Sequence, residues 1–243
     1  MTLSTSPIIG LIPARGGSKG VPGKNMRKIA GQPLIDFTIL AAQQSCHIDS
    51  VYVSTDDQAI LQHAQTMGAT GIVRPDELAS DTASAVGVVE HFIGTLPKTL
   101  LWEDPYIVYL QPTSPFRTAR HINDALEQML AARLRSLMSV SEVEKSPFKM
   151  FSLDANGCLQ SLFDEKLSNA RRQDLPAVFA PNGAIYVFRV SEFKARGGFP
   201  SNGSMPFVMS AADSLDIDTE DDIRRAEIVL GGKKWSNSEL QID

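Results

Sequence analysis

The chain has 243 residues, 43% of them apolar and 21% charged; this composition excludes intrinsic disorder, and the length fits a single α/β domain. A formal net charge of -5 excludes a general nucleic-acid binder, and no run of about 18 apolar residues offers a membrane span. The opening MTLSTSP lacks the basic and apolar regions of a secretory signal, and Cys46 and Cys158 form neither a disulfide framework nor a zinc site by themselves, so a cytoplasmic location is expected.

Residues 7–12 (PIIGLI) form a short apolar run that suits a strand buried on both faces of a parallel sheet. The spacing predicts a helix over residues 33–44, with Leu34, Phe37, Leu40 and Ala41 on one face and Pro33 at its first turn. Residues 51–54 read as the next strand, 57–67 as a helix closed by Gly68, and 71–73 as a short third strand. A helix is expected over 82–96, with Asp81 as its cap. A strand over 106–110, a helix over 119–134 and a strand over 137–140 follow.

This alternation predicts a mostly parallel, doubly wound α/β sheet of Rossmann-like type, one domain over 1–230. Residues 142–180 are polar and less regular, contain an Asn156-Gly157 turn, and read as an inserted excursion. Residues 183–188 (GAIYVF) are a strand and 207–210 a weaker one. A last helix over 219–230 has Thr219 as cap and Asp222 in the N3 position, and the tail over 231–243 is expected to fray.

Charge is unevenly distributed. Arg15, Lys19, Lys24, Arg27 and Lys28 all precede the first acid, Asp36, whereas Asp213, Asp216, Asp218, Glu220, Asp221 and Asp222 crowd near the other end. The cationic stretch lies in the loop ARGGSKGVPGKN (residues 14–25), directly after the first strand. Gly16, Gly17, Gly20 and Gly23 let the backbone turn tightly, successive N–H groups can form an anion nest, and Arg15, Lys19 and Lys24 add full charges. The loop is not a P-loop, because Ser18 and Asn25 stand where that motif needs glycine and Ser/Thr, and no register gives the dinucleotide fingerprint. It reads as a polyphosphate site of another class.

Asp216-Ile-Asp218 precedes the last helix; in an extended segment both carboxylates point to one face. Taken alone the pair reads either as a helix cap or as a Mg²⁺ site, and the polyphosphate loop in the same chain favours Mg²⁺. The stiff loop QPTSPFR (residues 111–117) carries amide, hydroxyl and guanidinium groups suited to reading a base or sugar. His47, His63, His91 and His121 show no metal-ligand spacing and read as structural or surface residues.

Together, IPARGGSKGVPGKN (12–25), VSTDD (53–57), RPDELASDTAS (74–84), LQPTSPFRTARHI (110–122), RRQDLP (171–176), PNGAIYV (181–187) and DSLDIDTEDD (213–222) resemble the N-acylneuraminate cytidylyltransferases, in the family's order and over nearly the whole chain to about residue 230. The resemblance implies a nucleotidyltransferase that moves CMP from CTP onto a sialic acid with release of pyrophosphate, and a homodimer to which the 142–180 excursion contributes. It places Arg15, Gly16, Gly17, Lys19, Lys24 and Asn25 on the triphosphate, and Arg74 and Ser84 around the cytidine. Gln111 and Tyr186 would border the sugar, Lys149 and Arg172 its carboxylate across the dimer interface, and Asp216 and Asp218 would hold Mg²⁺. Arg15, Lys24, Asp216 and Asp218 would carry catalysis. The chain departs from the family at Ala180, where an arginine often precedes Pro-Asn-Gly. Enzymes for legionaminic or pseudaminic acid are similar, and a non-catalytic nucleotide-binding module is the remaining alternative, against which the intact charged residues argue.

Overall fold

The computed structural model describes residues 6–18 and 20–231. Lys19, and residues 232–243 of the tail expected to fray, lie outside the described residues. In chain order the first elements are β1 (Ile8–Pro13), a small ribbon of β2 (Lys28–Ile29) and β3 (Gln32–Pro33), α1 (Leu34–Gln43), β4 (Ser50–Thr55), α2 (Gln58–Thr66) and β5 (Thr70–Val73). Then come α3 (Ala85–Thr95), α4 (Lys98–Trp102), β6 (Tyr106–Tyr109), α5 (Ala119–Ala131) and β7 (Ser136–Glu142). The excursion holds the hairpin of β8 (Phe151–Leu153) and β9 (Leu159–Ser161) and the short α6 (Glu165–Ser168). The chain closes with β10 (Phe179–Arg189), α7 (Val190–Arg196), β11 (Met205–Val208) and α8 (Glu220–Gly231).

Among the described residues a seven-stranded sheet runs in the order β11-β7-β10-β6-β1-β4-β5. β10 alone runs against its neighbours β6 and β7, so the sheet is mostly parallel and doubly wound, as the alternating pattern predicts. Side chains alternate across the central strands. Ile8 and Ile12 of β1 pack in one core with α2 and α5, and Ile9 and Leu11 pack in the other with α3 and α7. The chain leaves β1 for β4 and β5 on one side and returns to β6 on the other. This reversal opens a crevice beyond the carboxyl ends of β1 and β6.

α1 differs from its expected single apolar face. Ile35 and Ile39 join the core against the sheet, Leu34 and Phe37 join a third cluster, and Leu40 is less buried than either pair. The helix is buried around most of its circumference because it sits between two cores. The third cluster gathers Val21 and Ile29 from the N-terminal segment with Ile217, Ile223, Ala226 and Leu230 from the end of the described chain.

Capping also corrects one expectation. α3 begins at Ala85 with Ser84 as its cap, the Ser84 hydroxyl accepting from the Gly87 N–H at 3.0 Å. Asp81 lies too early to cap, and its carboxylate faces Arg15 instead. α8 starts as expected: Thr219 and Asp222 bond reciprocally, at 3.3 Å from the Asp222 N–H to the Thr219 hydroxyl and 2.9 Å from the Thr219 N–H to Asp222. Helices α4 and α7 carried no distinct sequence signal. No helix among the described residues is long and apolar enough to cross a membrane.

Asp104 ties together the strand ends opposite the crevice, just before β6 and β7 and at the end of β10. Its carboxylate accepts the Ser191 N–H at 2.8 Å and the Ser191 hydroxyl at 2.7 Å, and Arg135 and Arg189 each reach it at 3.3 Å. Burial opposes its charge, but the hydrogen bonds from Ser191 and Arg189 outweigh burial and hold its pKa below the usual value. The folded pKa is thus depressed, so the stabilisation is present at neutral pH and is lost as pH falls through that value. We predict that Asp104→Ala costs about 1–3 kcal/mol at neutral pH by urea denaturation. The gap to the parent should close well below the ordinary aspartate pKa of about 4; an equal gap at both pH values would refute the assignment.

Candidate active site

The crevice at the strand reversal is a cleft of about 340 Å³. The loop after β1 supplies Arg15, Gly17, Ser18, Lys24 and Asn25 to its wall, the loop after β6 supplies Gln111, Pro112 and Thr113, and the segment before α8 supplies Asp216 and Asp218. Arg74, Leu78 and Asp81 close a further side, with Tyr109 of β6 beneath.

The DID spacing explains why both aspartates arrive together. The Ile217 side chain is fully buried in the third apolar cluster, and its N–H donates to the Thr113 carbonyl at 2.9 Å. Its neighbours on either side therefore face the cleft. The glycine-rich loop touches this segment directly. Lys24 Nζ donates to the Ile217 carbonyl at 2.7 Å and to Asp218 Oδ1 at 3.0 Å. A Cβ at position 20 would collide with the Asp218 carbonyl oxygen, so only glycine allows this approach.

Two cations of the loop and one of its N–H groups are each held by a carboxylate. The Gly16 N–H donates to Asp56 Oδ1 at 3.0 Å, Arg15 Nη1 to Asp81 Oδ1 at 2.9 Å, and Lys24 to Asp218. Asn25 is buried and donates through Nδ2 to the Arg15 carbonyl at 2.8 Å, which stiffens the loop from inside. These carboxylates stand where anionic ligand oxygens would compete for the same donors. Asp216 opens onto the cleft, yet the surrounding walls withhold enough solvent to raise its pKa above the usual aspartate value. Asp218 adds to that rise, while a hydrogen bond from Thr113 and the charge of Lys24 oppose it.

The remaining residues singled out in the sequence divide between cleft and periphery. Arg74 is buried in the wall with its guanidinium engaged, Nη2 donating to the Ser54 carbonyl at 2.6 Å and Nη1 to the Leu78 carbonyl at 3.3 Å. Ser84 caps α3, and its neighbours Ala83 and Ala85 rather than Ser84 itself line the cleft. Gln111 lines the cleft; Tyr186 packs behind it, its ring 6.1 Å from that of Tyr109. Lys149 and Arg172 do not reach this cleft within one chain. Lys149 is exposed on the excursion, and Arg172 lines a separate groove with Glu142, Glu144 and Pro176. Lys19 lies outside the described residues.

Sequence reasoning missed Tyr109, Thr113 and the pairing role of Asp81. Thr113 and Asp81 fall inside segments already singled out, but only the fold shows which way they face. Away from the cleft, Cys46, His47 and Glu127 bring one ligand atom each within 4.8 Å of one another, with His47 Nε2 2.9 Å from Glu127. Cys46 and His47 are adjacent, but Glu127 lies 80 residues from His47 in the chain, and that separation hid the group.

A family model described as cytidylyltransferase matches residues 9–198. An N-acylneuraminate cytidylyltransferase of Streptococcus agalactiae is 34% identical over 214 residues, covering 87% of this chain and 50% of the relative. A CMP-N,N'-diacetyllegionaminic acid synthase of Legionella pneumophila is 34% identical over 216 residues, covering 87% of this chain and 91% of the relative. The chain thus spans about half the length of the streptococcal relative and most of the other. Among solved structures, a CMP:2-keto-3-deoxy-manno-octonic acid synthetase complexed with CTP superposes with TM-score 0.69 at 18% identity, covering 93% of this chain and 99% of that one. That likeness shows a shared fold.

The contact between Gly20 and the Asp218 backbone is directly testable. Gly20→Ala forces the loop off the acidic segment, an overpacking cost of about 1–3 kcal/mol. We expect binding of inorganic tripolyphosphate, measured by calorimetry, to weaken roughly tenfold or more. Unchanged affinity in the folded variant would separate the loop from the acidic pair.

Proposed function

The chain belongs to the cytidylyltransferase family, and we propose that it transfers CMP from CTP to the anomeric 2-hydroxyl of an N-acylneuraminate or related nonulosonic acid, releasing pyrophosphate. The observation that carries this reading is the Lys24 amino group, bonded at once to the Ile217 carbonyl and the Asp218 carboxylate. It puts a polyphosphate-type loop and a pair of carboxylates on one cleft of about 340 Å³. The activities for which the streptococcal and Legionella relatives are named, and the CTP held by the structural neighbour, support the same chemistry.

In this reading the sugar hydroxyl oxygen attacks the α-phosphorus of CTP, the bond to the bridging oxygen breaks, pyrophosphate leaves and the hydroxyl proton passes to solvent. Arg15, Lys24 and the Gly16 N–H exchange their carboxylate partners for triphosphate oxygens, the Gly17 N–H joins them, and together they hold the charge that builds on pyrophosphate. Lys19 is assigned to the same group from the sequence, and Asn25 supports the loop through the Arg15 carbonyl. Arg74 and Ser84 shape the wall on the base side, since their polar atoms are engaged within the protein. Gln111 and Tyr186 border the acceptor.

Mg²⁺ fits Asp216 and Asp218. Both are hard oxygen donors open to the cleft, and Asp216 is held above its usual pKa by partial burial, an imbalance that a cation relieves. When bound, the ion supplies positive charge that offsets the charge growing on phosphate oxygens.

A second copy of the chain is part of the proposal. The excursion exposes Phe151, Leu153, Leu159, Leu162 and Phe163, with Leu153 and Leu159 68% and 73% exposed. So dense an apolar surface favours an interface. Lys149 and Arg172 lie on this excursion, so their assigned place at the acceptor carboxylate is across that interface. The proposal places the protein in the cytoplasm, a reducing compartment in which exposed thiols such as Cys46 and Cys158 stay unpaired.

Incubation with CTP, Mg²⁺ and a panel of nonulosonic acids should yield a CMP-sugar by mass spectrometry, with UTP, GTP and ATP inactive. Tight CTP binding without product would instead identify a non-catalytic module. Arg15→Ala should lower turnover on the order of 10²-fold with the fold intact, and EDTA should abolish activity that Mg²⁺ restores. Leu153→Asp combined with Leu159→Asp should convert the dimer to a monomer on size-exclusion chromatography.

A further inference from the structure

Arg117 is the largest fully buried side chain among the described residues, with 1% of its surface exposed. Its Nη1 donates to the carbonyls of Gln111 at 3.1 Å and Ala184 at 3.0 Å. Nε and Nη2 have no hydrogen-bond partner, nor does the buried hydroxyl of Ser114 in the same loop. Burial lowers the Arg117 pKa to about 9, and no neighbouring carboxylate acts against that shift. The group therefore remains charged at neutral pH, buried without a counter-ion.

Stability alone does not account for such a residue. An uncompensated buried charge costs several kcal/mol, and an apolar side chain of similar volume usually stabilises the fold better. What the guanidinium does is tie together two backbone segments of different elements. Gln111 follows β6 and lines the cleft; Ala184 lies in β10, where the register shifts between Pro181 and Tyr186. The Gln111 carbonyl also accepts the Ser114 N–H at 3.4 Å and the Thr38 hydroxyl at 3.5 Å. From the other side, a Cβ at position 183 would collide with Gln111 Oε1, and Gly183 holds φ +77. The irregular stretch of β10 is itself fixed by Asn182, whose Oδ1 accepts the Ser139 hydroxyl at 2.6 Å and the Ala184 N–H at 3.2 Å.

We propose that Arg117 is a positioning residue for the acceptor side of the cleft: by bridging the Gln111 and Ala184 carbonyls it fixes the Gln111 amide over Gly183 and the β10 stretch leading to Tyr186. The inference rests on the transferase reading given above. Arg117 touches no substrate in this arrangement; it acts through Gln111 and β10. The nucleotide side, built from the loop after β1 and from the segment before α8, makes no hydrogen bond to the guanidinium among the described residues and should be affected far less. The buried positive charge behind the acceptor wall also favours an anionic acceptor over a neutral one.

The test separates positioning from plain stability. Arg117→Lys keeps the charge but loses the fork, and Arg117→Gln loses both; each is checked for folding by circular dichroism. In the folded variants KM for the acceptor should rise about tenfold or more, with KM for CTP within about threefold of the parent and Arg117→Lys the milder of the two. Gly183→Ala, which displaces Gln111 while leaving Arg117 in place, should give the same selective rise, and its effect should not add to that of Arg117→Lys. Equal changes in both KM values, or a lowered Tm with both unchanged, overturns the proposal. So does an Arg117→Lys chain that fails to fold while Gly183→Ala leaves acceptor KM unchanged. Parent enzyme that makes no CMP-sugar from any nonulosonic acid overturns the transferase reading and this proposal together. A parent that turns over while its variants shift both KM values in step overturns this proposal alone.

Discussion

The architecture of the site depends on the burial of Ile217. Full burial of a branched aliphatic side chain is worth about 1.5–3 kcal/mol, and here it occurs in a cluster that joins Val21, Ile29, Leu34 and Phe37 to Ile223, Ala226 and Leu230. The cluster pins a segment from near the C-terminus against one from near the N-terminus. Because Ile217 points inward, Asp216 and Asp218 point outward, and the same apolar contact brings Lys24 within bonding distance of the Ile217 carbonyl. Two charged elements separated by nearly the whole chain are thus positioned by an uncharged one.

Electrostatics then act on a scaffold already in place. The loop donors engage Asp56, Asp81 and Asp218, so no described group of the loop stands as an unpaired cation facing its own repulsion. In the proposed reading a triphosphate would take these donors and leave the displaced carboxylates to solvent or to an added cation, since the ligand brings further negative charge. Net charge therefore says little about the proposed anion site, whose local field is set by a few residues with displaceable partners.

The sheet contributes the second constraint. The reversal between β1 and β6 opens the crevice, and the single antiparallel strand β10 brings Tyr186 and the stretch over Asn182 and Ala184 alongside β6. The residues proposed for the nucleotide rest mainly on the third apolar cluster, and those proposed for the acceptor on Arg117, Gln111 and the irregular stretch of β10. The two supports meet where the Ile217 N–H bonds the Thr113 carbonyl. The excursion between β7 and β10 pairs strands only with itself, and its apolar side chains remain uncovered within one chain.

Much of this was legible in the residues themselves. Apolar runs such as IIGLIP can be buried on both faces only in a covered sheet, and the chemistry of the glycine-rich loop with Arg15 and Lys24 is what leads to the anion-site proposal. The Thr219 and Asp222 cap and the shared facing of Asp216 and Asp218 are local, so a few residues of sequence determined them. What sequence could not determine are matters of long range. Asp81 was legible as a helix cap, and only the fold turns it toward Arg15. Leu34 and Phe37 of the expected α1 stripe meet the third cluster, and only the fold shows that Ile35 and Ile39 are buried as well, against the sheet. The Arg117 guanidinium reads in sequence as a group suited to a base or sugar, and the fold corrects this by burying it under β10, outside the cleft lining. Periodicity and capping depend on neighbours within a turn or two, whereas the facing of a side chain across a cleft depends on which distant segment packs beside it, and that is decided by tertiary burial.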